Sequence, residues 1–328
     1  MQPDGASPVP PAVAATWRTV EPSTAWLPES LADALPWGRE VEYRDTEALQ
    51  RLAAGGWQLL GVSHRGRVHA HEGTHREDAM AVVAGTHGFA LAASDGAGSS
   101  RWSRVAAACV CRCIARESEP LLHQGLPASD AASRLQRTLT RALRCACEEL
   151  HDGVTAAGGA ARDVRTTALA VILVDGWLAS VQVGDGAIFS LTRDGRVSRR
   201  GTGDAGSYSG EVGAFVPEVD DASIEARIVV TPLPASPDNR PEAILLLTDG
   251  VEDPFYPVER RGAEIARQLY HGVSAPAEGF RAQAAHGPIV GSDEALPRLA
   301  RWIDFERRGE NDDRTLVGAF RLPPAFLG

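Results

Sequence analysis

Ala243-Ile-Leu-Leu-Leu-Thr248 runs straight into Asp249-Gly250, and Phe89-Ala-Leu-Ala-Ala-Ser94 runs straight into Asp95-Gly96. Neither run sets aside a face for water, so both read as buried strands. A carboxylate at the mouth of a buried strand is costly to hold unpaired. Three further acidic clusters lie along the chain, Glu77-Asp78, Gly184-Asp185 and Asp312-Asp313, and Asp253 follows closely on Asp249. If these converge, their charge needs an opposite partner, and a divalent cation with oxygen ligands supplies it. The pattern points to a hydrolase that uses Mg²⁺ or Mn²⁺.

Asp-Gly is also a turn signal, and the chain has seven such pairs. Asp175-Gly176 and Asp194-Gly195 lie between or just after alternating strands and read as hairpin turns. Asp95 and Asp249 differ, because each ends a run too apolar to face water.

Outward from these two strands, 57–63, 79–84, 166–174, 177–183, 187–192, 224–231 and 315–322 read as further strands. Residues 85–88 make the turn between 79–84 and 89–94. The apolar spacing predicts long helices over 103–117 and 128–157, with Asp130 in the first turn of the second, and helices over 258–272 and 296–308. Residues 40–56 are expected to hold a strand and a short helix, and 201–221 a long loop. Strands with turn-type links beside segregated helices define an α+β layered domain, antiparallel sheets covered by helices. Residues 1–39, rich in Pro and Ala, read as a mobile arm with short ordered pieces such as 30–35, and 40–328 as one catalytic domain.

The 328 residues suffice for one large domain or two modest ones, with 44% hydrophobic and 23% charged residues. No stretch is long and apolar enough to span a bilayer. The first residues lack a signal peptide's basic and apolar regions, so the expected location is the cytoplasm. A net charge of −10 argues against nucleic acid or an anionic membrane as partner. The chain has no lysine, which excludes the phosphate-loop lysine, the kinase lysine and Schiff-base chemistry.

The five cysteines are Cys109, Cys111, Cys113, Cys145 and Cys147, all on helical stretches. Cys109 and Cys113 share a helix face while Cys111 points elsewhere. A thiolate metal site requires the two helices to pack together; the simpler reading of a free cysteine is a small buried hydrophobe.

Taken in order, His75-Arg-Glu-Asp-Ala79, Asp95-Gly-Ala-Gly-Ser99, Thr166-Thr167, Val183-Gly-Asp-Gly186, Leu247-Thr-Asp-Gly-Val-Glu-Asp253 and Asp312-Asp-Arg-Thr-Leu316 resemble the type 2C, metal-dependent serine/threonine protein phosphatases. The resemblance covers residues 57–322, and Asp-Gly-Ala-Gly-Ser looks like a bacterial branch. It implies a four-layer αββα sandwich, two antiparallel sheets flanked by helices, with two metal ions at one end. By that likeness Asp95 bridges both ions, Asp249 and Asp312 hold the first, and Glu77 with the Gly96 carbonyl holds the second. Asp78 orients a metal-bound water, and Asp185 and Asp253 offer a weaker third site. The implied reaction is hydrolysis of phosphoserine and phosphothreonine in proteins by a metal-bridged hydroxide. Two cations roughly 3.5–4 Å apart supply that hydroxide at neutral pH. The partners implied are phosphoproteins and an opposing serine/threonine kinase in signalling.

Two departures stand out. The family's phosphate-gripping Arg is replaced by Gly73, which leaves Arg76 or Arg65 as substitutes. The His that often follows Asp-Gly is replaced by Ala97, leaving His64, His71 and His75 to be considered. These gaps support an alternative, a regulatory or binding module that keeps the fold with little turnover. A further rival is a zinc protease, because His71-Glu-Gly-Thr-His75 fits His-Glu-x-x-His. That chemistry needs both His on one helical face, and Gly73 weakens a helix by about 1 kcal/mol. Residues 201–221 are expected to form a flap over the substrate.

Overall fold

The computed structural model describes residues 18–39, 43–127, 129–203, 214–275, 279–280 and 285–322. Its strands are β1 (Thr46–Ala53), β2 (Trp57–His64), β3 (Ala79–Ala84), β4 (Gly88–Ser94), β5 (Ala168–Val174), β6 (Trp177–Val183), β7 (Ala187–Thr192), β8 (Val197–Arg199), β9 (Val229–Pro232), β10 (Pro241–Leu247) and β11 (Arg314–Arg321). The helices are α1 (Glu29–Ala34), α2 (Arg67–Glu72), α3 (Ser103–Gln124), α4 (Ala131–Ala156), α5 (Asp221–Arg227), α6 (Asp249–Glu252), α7 (Val258–His271) and α8 (Ala295–Ile303).

One sheet has the order β1-β2-β11-β10-β7-β8 and the other β3-β4-β5-β6-β9. Every pairing is antiparallel. Strand alternation explains why the two deciding runs are apolar throughout. On β4, Phe89, Leu91 and Ala93 face the space between the sheets, while Ala90 and Ala92 pack against α3 and α4. On β10, Ile244 and Leu246 face between the sheets, and Ala243, Leu245 and Leu247 join the core under α7 and α8. The result is the expected four-layer αββα sandwich, with three apolar layers between its four tiers. Among the described residues no helix is long and apolar enough to cross a membrane.

Several details differ from expectation. Residues 224–231 are not one strand. The Asp220 side chain accepts from the Ser223 N–H at 2.7 Å and caps α5, and only β9 follows as strand. Asp220 is a strong helix N-cap, and Ile224 is the single buried side chain of that helix. Helix α8 ends at Ile303 rather than near 308, and Phe305 beyond it turns into the core. No helix forms among the described residues of 43–56. Within the segment read as a mobile arm, the ordered piece expected at 30–35 is α1. Residues 1–17 lie outside the described residues, whereas Leu31, Leu35 and Trp37 are buried with the α3–α4 layer.

Candidate active site

The acidic residues arrive at one end of the sandwich because strand ends do. Asp95 follows β4, Asp249 follows β10, Glu77 and Asp78 precede β3, Asp312 and Asp313 precede β11, and Asp185 sits between β6 and β7. Glu77, Asp95, Gly96, Asp185, Asp249, Asp253 and Asp312 line one cleft of about 500 Å³.

Hydroxyl side chains fix this framework. The Asp95 backbone is held on both sides: its N–H donates to Thr167 Oγ1 at 2.9 Å, and its carbonyl accepts from Thr166 Oγ1 at 2.7 Å. Asp78 is 4% exposed. Its Oδ2 accepts from Thr248 Oγ1 at 2.9 Å and from Thr315 Oγ1 at 2.6 Å. Asp78 therefore lies under the cleft rather than on its wall.

Crowded carboxylates in a poorly hydrated site resist ionising. Burial, then Asp249, Asp78, Asp312 and Asp185, hold the Asp95 carboxyl well above the usual range. Burial, then Asp312 and Asp185, do the same to Asp249. Glu77 is pushed up to about 7, chiefly by burial. Asp78 also reaches about 7, through burial and then Asp313. Asp312 is raised by desolvation and Asp313, and Asp253 by desolvation.

Two observations test whether cations fit. Glu77 Oε2 and Asp78 Oδ1 are buried and accept no hydrogen bond. Gly96 leaves its backbone open: a Cβ there would lie 2.9 Å from the Glu77 carbonyl oxygen and 2.8 Å from Ser103. The donor set is all oxygen, as Mg²⁺ and Mn²⁺ require. The residues present fit such ions.

The expected phosphate grip is corrected. Arg76 is 8% exposed. Its guanidinium bonds the carbonyls of Asp78 and Ser63 and the Glu47 carboxylate at 3.0–3.1 Å. Arg65 is spent on Asp45 and on the carbonyls of Val20 and His69. Neither lines the cleft, nor does any other arginine among the described residues. Arg76 precedes β3 with its side chain turned inward, an orientation that no spacing in the sequence reveals.

The cleft's cation is His69, on α2. Burial works against its charge, but Asp313, 3.0 Å away, and then Glu77 and Asp312 outweigh it and push the imidazole up to about 9. Asp313 itself accepts from the backbone N–H groups of Gly66 and Glu77, both at 2.5 Å. His64, His71 and His75 do not line the cleft. The zinc-protease pattern fails because α2 ends at Glu72 with Gly73 left-handed at φ 70°. His75 lies beyond the helix, edge-on to Tyr43 at 4.6 Å. Of the segment expected to form a flap, residues 204–213 lie outside the described residues, and Phe215 lines the cleft.

The architecture has known counterparts among phosphatases. A serine-threonine phosphatase 2C from Toxoplasma gondii superposes with a TM-score of 0.54 and 14% identity, covering 84% of this chain and 98% of that one. A bacterial serine phosphatase superposes with a TM-score of 0.50 and 14% identity, covering 80% and 97%. At these identities the likeness is one of fold. No curated protein sequence matches the chain. A family model described as Protein phosphatase 2C matches residues 65–281, most of the chain, and the protein belongs to that family.

Proposed function

We propose that the chain removes phosphate from phosphoserine and phosphothreonine in proteins, using two divalent cations, Mg²⁺ or Mn²⁺. The observation that carries this reading is the meeting of Glu77, Asp95, Asp185, Asp249, Asp253 and Asp312 in one cleft that His69 also lines. Asp95 would be shared by the two ions, Asp249 and Asp312 would hold the first, and Glu77 with the Gly96 carbonyl would hold the second. Asp185 and Asp253 are the donors for a weaker third ion. Bound divalent ions supply a hydroxide nucleophile at neutral pH and neutralise charge on the transferring phosphoryl group.

The chain's own residues do the rest. Thr248 and Thr315 fix Asp78 through Oδ2, leaving Oδ1 to orient the water that a bound cation would carry. Thr166 and Thr167 keep the Asp95 backbone in place. His69 offers the positive charge that the missing arginine leaves open, and so positions the phosphate. The physiological setting is cytoplasmic, opposite a serine/threonine kinase.

The alternative of a weak or inactive phosphatase-fold module draws on one observation, the lack of an arginine on the described cleft wall. A single assay separates the two. Phosphothreonine and phosphotyrosine peptides are offered with Mn²⁺, with Mg²⁺ and with EDTA, to the wild type and to Asp249→Asn. Hydrolysis of phosphothreonine that vanishes with EDTA and in Asp249→Asn supports the enzyme. Metal binding without turnover supports the module, and turnover that survives EDTA overturns the mechanism.

A further inference from the structure

Helices α3 and α4 pack together and carry a second group of donors, none of which lines the acidic cleft. Cys109 and Cys113 are four residues apart on α3, and Cys145 and Glu149 are four apart on α4. Four-residue spacing puts each pair on one helix face. The facing pairs meet. Ligand atoms of Cys109, Cys113 and Glu149 all lie within 4.8 Å of one another. Cys109 Sγ is 3.7 Å from Glu149 Oε2, and Cys145 Sγ is 3.6 Å from Glu149 Oε1.

We propose that Cys109, Cys113, Cys145 and Glu149 form a structural Zn²⁺ site that staples α3 to α4. Zn–S distances near 2.3 Å and Zn–O distances near 2.1 Å in a tetrahedron put ligand atoms about 3.6–3.8 Å apart. Each sulfur–oxygen distance falls in that range, with Cys109 at Oε2 and Cys145 at Oε1, so the carboxylate must turn to present one oxygen to both sulfurs. Cys109, Cys113 and Glu149 are already gathered, and metal binding would draw Cys145 onto that triad by side-chain rotation.

A cation is already drawn to this spot. Arg116 Nη2 lies 2.7 Å from Cys145 Sγ and 3.7 Å from Cys113 Sγ, and Nη1 lies 2.8 Å from Glu149 Oε1. Its guanidinium therefore touches three of the four proposed ligands. The Arg116 side chain is 47% exposed, so it can withdraw to solvent as a metal enters. Trp37 Nε1 donates to Glu149 Oε2 at 3.1 Å and orients the carboxylate from outside, as outer partners of zinc ligands do.

The chemistry selects the ion. Thiolates favour Zn²⁺ over the hard Mg²⁺ and Mn²⁺ that suit the cleft. Burial raises the Cys145 thiol to about 11, and a hydrogen bond with Cys113, then burial, holds the Cys109 thiol well above its usual value. These two thiols are protonated at neutral pH and are poor nucleophiles. Zn²⁺ binding forms three Zn–S bonds and one Zn–O bond, and the three thiol protons pass to solvent.

The test uses the full chain, reduced, stripped of metal and then titrated with Co²⁺ as a spectroscopic probe. The expected result is thiolate-to-cobalt charge-transfer bands and tetrahedral ligand-field bands at one equivalent, bleached by Zn²⁺ and unaffected by excess Mg²⁺. Cys113→Ser and Cys145→Ser should abolish them, while Cys147→Ser and the cleft variant Asp249→Asn keep them. Trp37→Phe should weaken Zn²⁺ binding by roughly 10–100-fold. Should the buried-cysteine variants misfold, alkylation of the wild type decides: Zn²⁺ must protect Cys109, Cys113 and Cys145 but not Cys147. Absent bands, bands that survive both serine variants, or recovery of a disulfide within the cluster in place of Zn²⁺ binding would each overturn the proposal.

Discussion

Asp312 and Asp313 are adjacent acids with opposite physical roles, and replacing each with Ala should separate them. The Asp313 side chain is 2% exposed. It accepts from two backbone N–H groups at 2.5 Å and lies 3.0 Å from His69 Nδ1. Asp313→Ala strands two amide donors and an imidazolium next to the cleft. A hydrogen bond to a charged group is worth roughly 1.5–3 kcal/mol, and neighbouring losses do not add fully. The expected cost is about 3–5 kcal/mol. At about 2 cal/mol/K of unfolding entropy per residue, that lowers Tm by roughly 5–8 °C for a chain of this length. Asp312 is exposed on the cleft wall and is held above the usual carboxylate range partly by Asp313. Asp312→Ala should leave the metal-free Tm unchanged or raise it, while weakening Mn²⁺ binding. The assay is thermal unfolding in EDTA, followed by the Mn²⁺-induced rise in Tm. The pH dependence gives a second check. His69 is raised from its ordinary value to about 9 in the fold. Its contribution is complete below about 6.5 and is lost as pH rises through about 9. The gap between wild type and Asp313→Ala should therefore be widest near pH 6 and shrink toward pH 9. Equal Tm values for wild type and Asp313→Ala, or a gap that widens with pH, would refute the assignment.

The metal-free protein should lose stability as pH rises from about 4 to about 7, because the folded state holds Glu77 and Asp78 protonated up to about 7. A raised carboxyl pKa makes ionisation costly in the fold alone, and the roughly 3-unit shift of Asp78 is worth at most about 4 kcal/mol. Urea midpoints at pH 5 and pH 8, with and without Mn²⁺, should show the metal stabilising more at pH 8; the reverse order would sink the argument. His69→Gln keeps a donor but removes the charge, and should raise KM for a phosphothreonine peptide about ten- to a hundred-fold with a smaller change in kcat. An unchanged KM would place phosphate recognition elsewhere.

The sandwich was legible where both faces of a strand are buried. The parity of β4 and β10 sends alternate side chains into two separate cores, so each run must be apolar throughout. The acids at the ends of those runs were legible for a related reason, since a strand buried on both faces first meets the cleft where it ends, with Asp95 and Asp249 half-buried there. What failed was direction. Arg76 and Glu77 are neighbours, yet one guanidinium turns inward to the Ser63 and Asp78 carbonyls while the adjacent carboxylate reaches the cleft. His69 escaped notice because α2 is a single six-residue turn with no buried side chain, and nothing periodic announces it. The ordered piece expected at 30–35 is α1, but the burial of Leu31, Leu35 and Trp37 was not legible, because so few apolar residues set no pattern.

These misses share a cause that bears on the chemistry. Asp313 has both carboxylate oxygens taken by backbone amides, and Asp78 has Oδ2 taken by two threonine hydroxyls. Asp95, Asp249 and Asp312 are the acids that the fold leaves to repel one another. Composition cannot tell a satisfied carboxylate from an unsatisfied one, because the difference lies in donors contributed by distant strands. A fold that provides buried threonines for one acid, and none for the three beside it, has divided its carboxylates into scaffold and ligand. On that division, an added cation should relieve Asp95, Asp249 and Asp312, and with them Asp78, and leave Asp313 untouched.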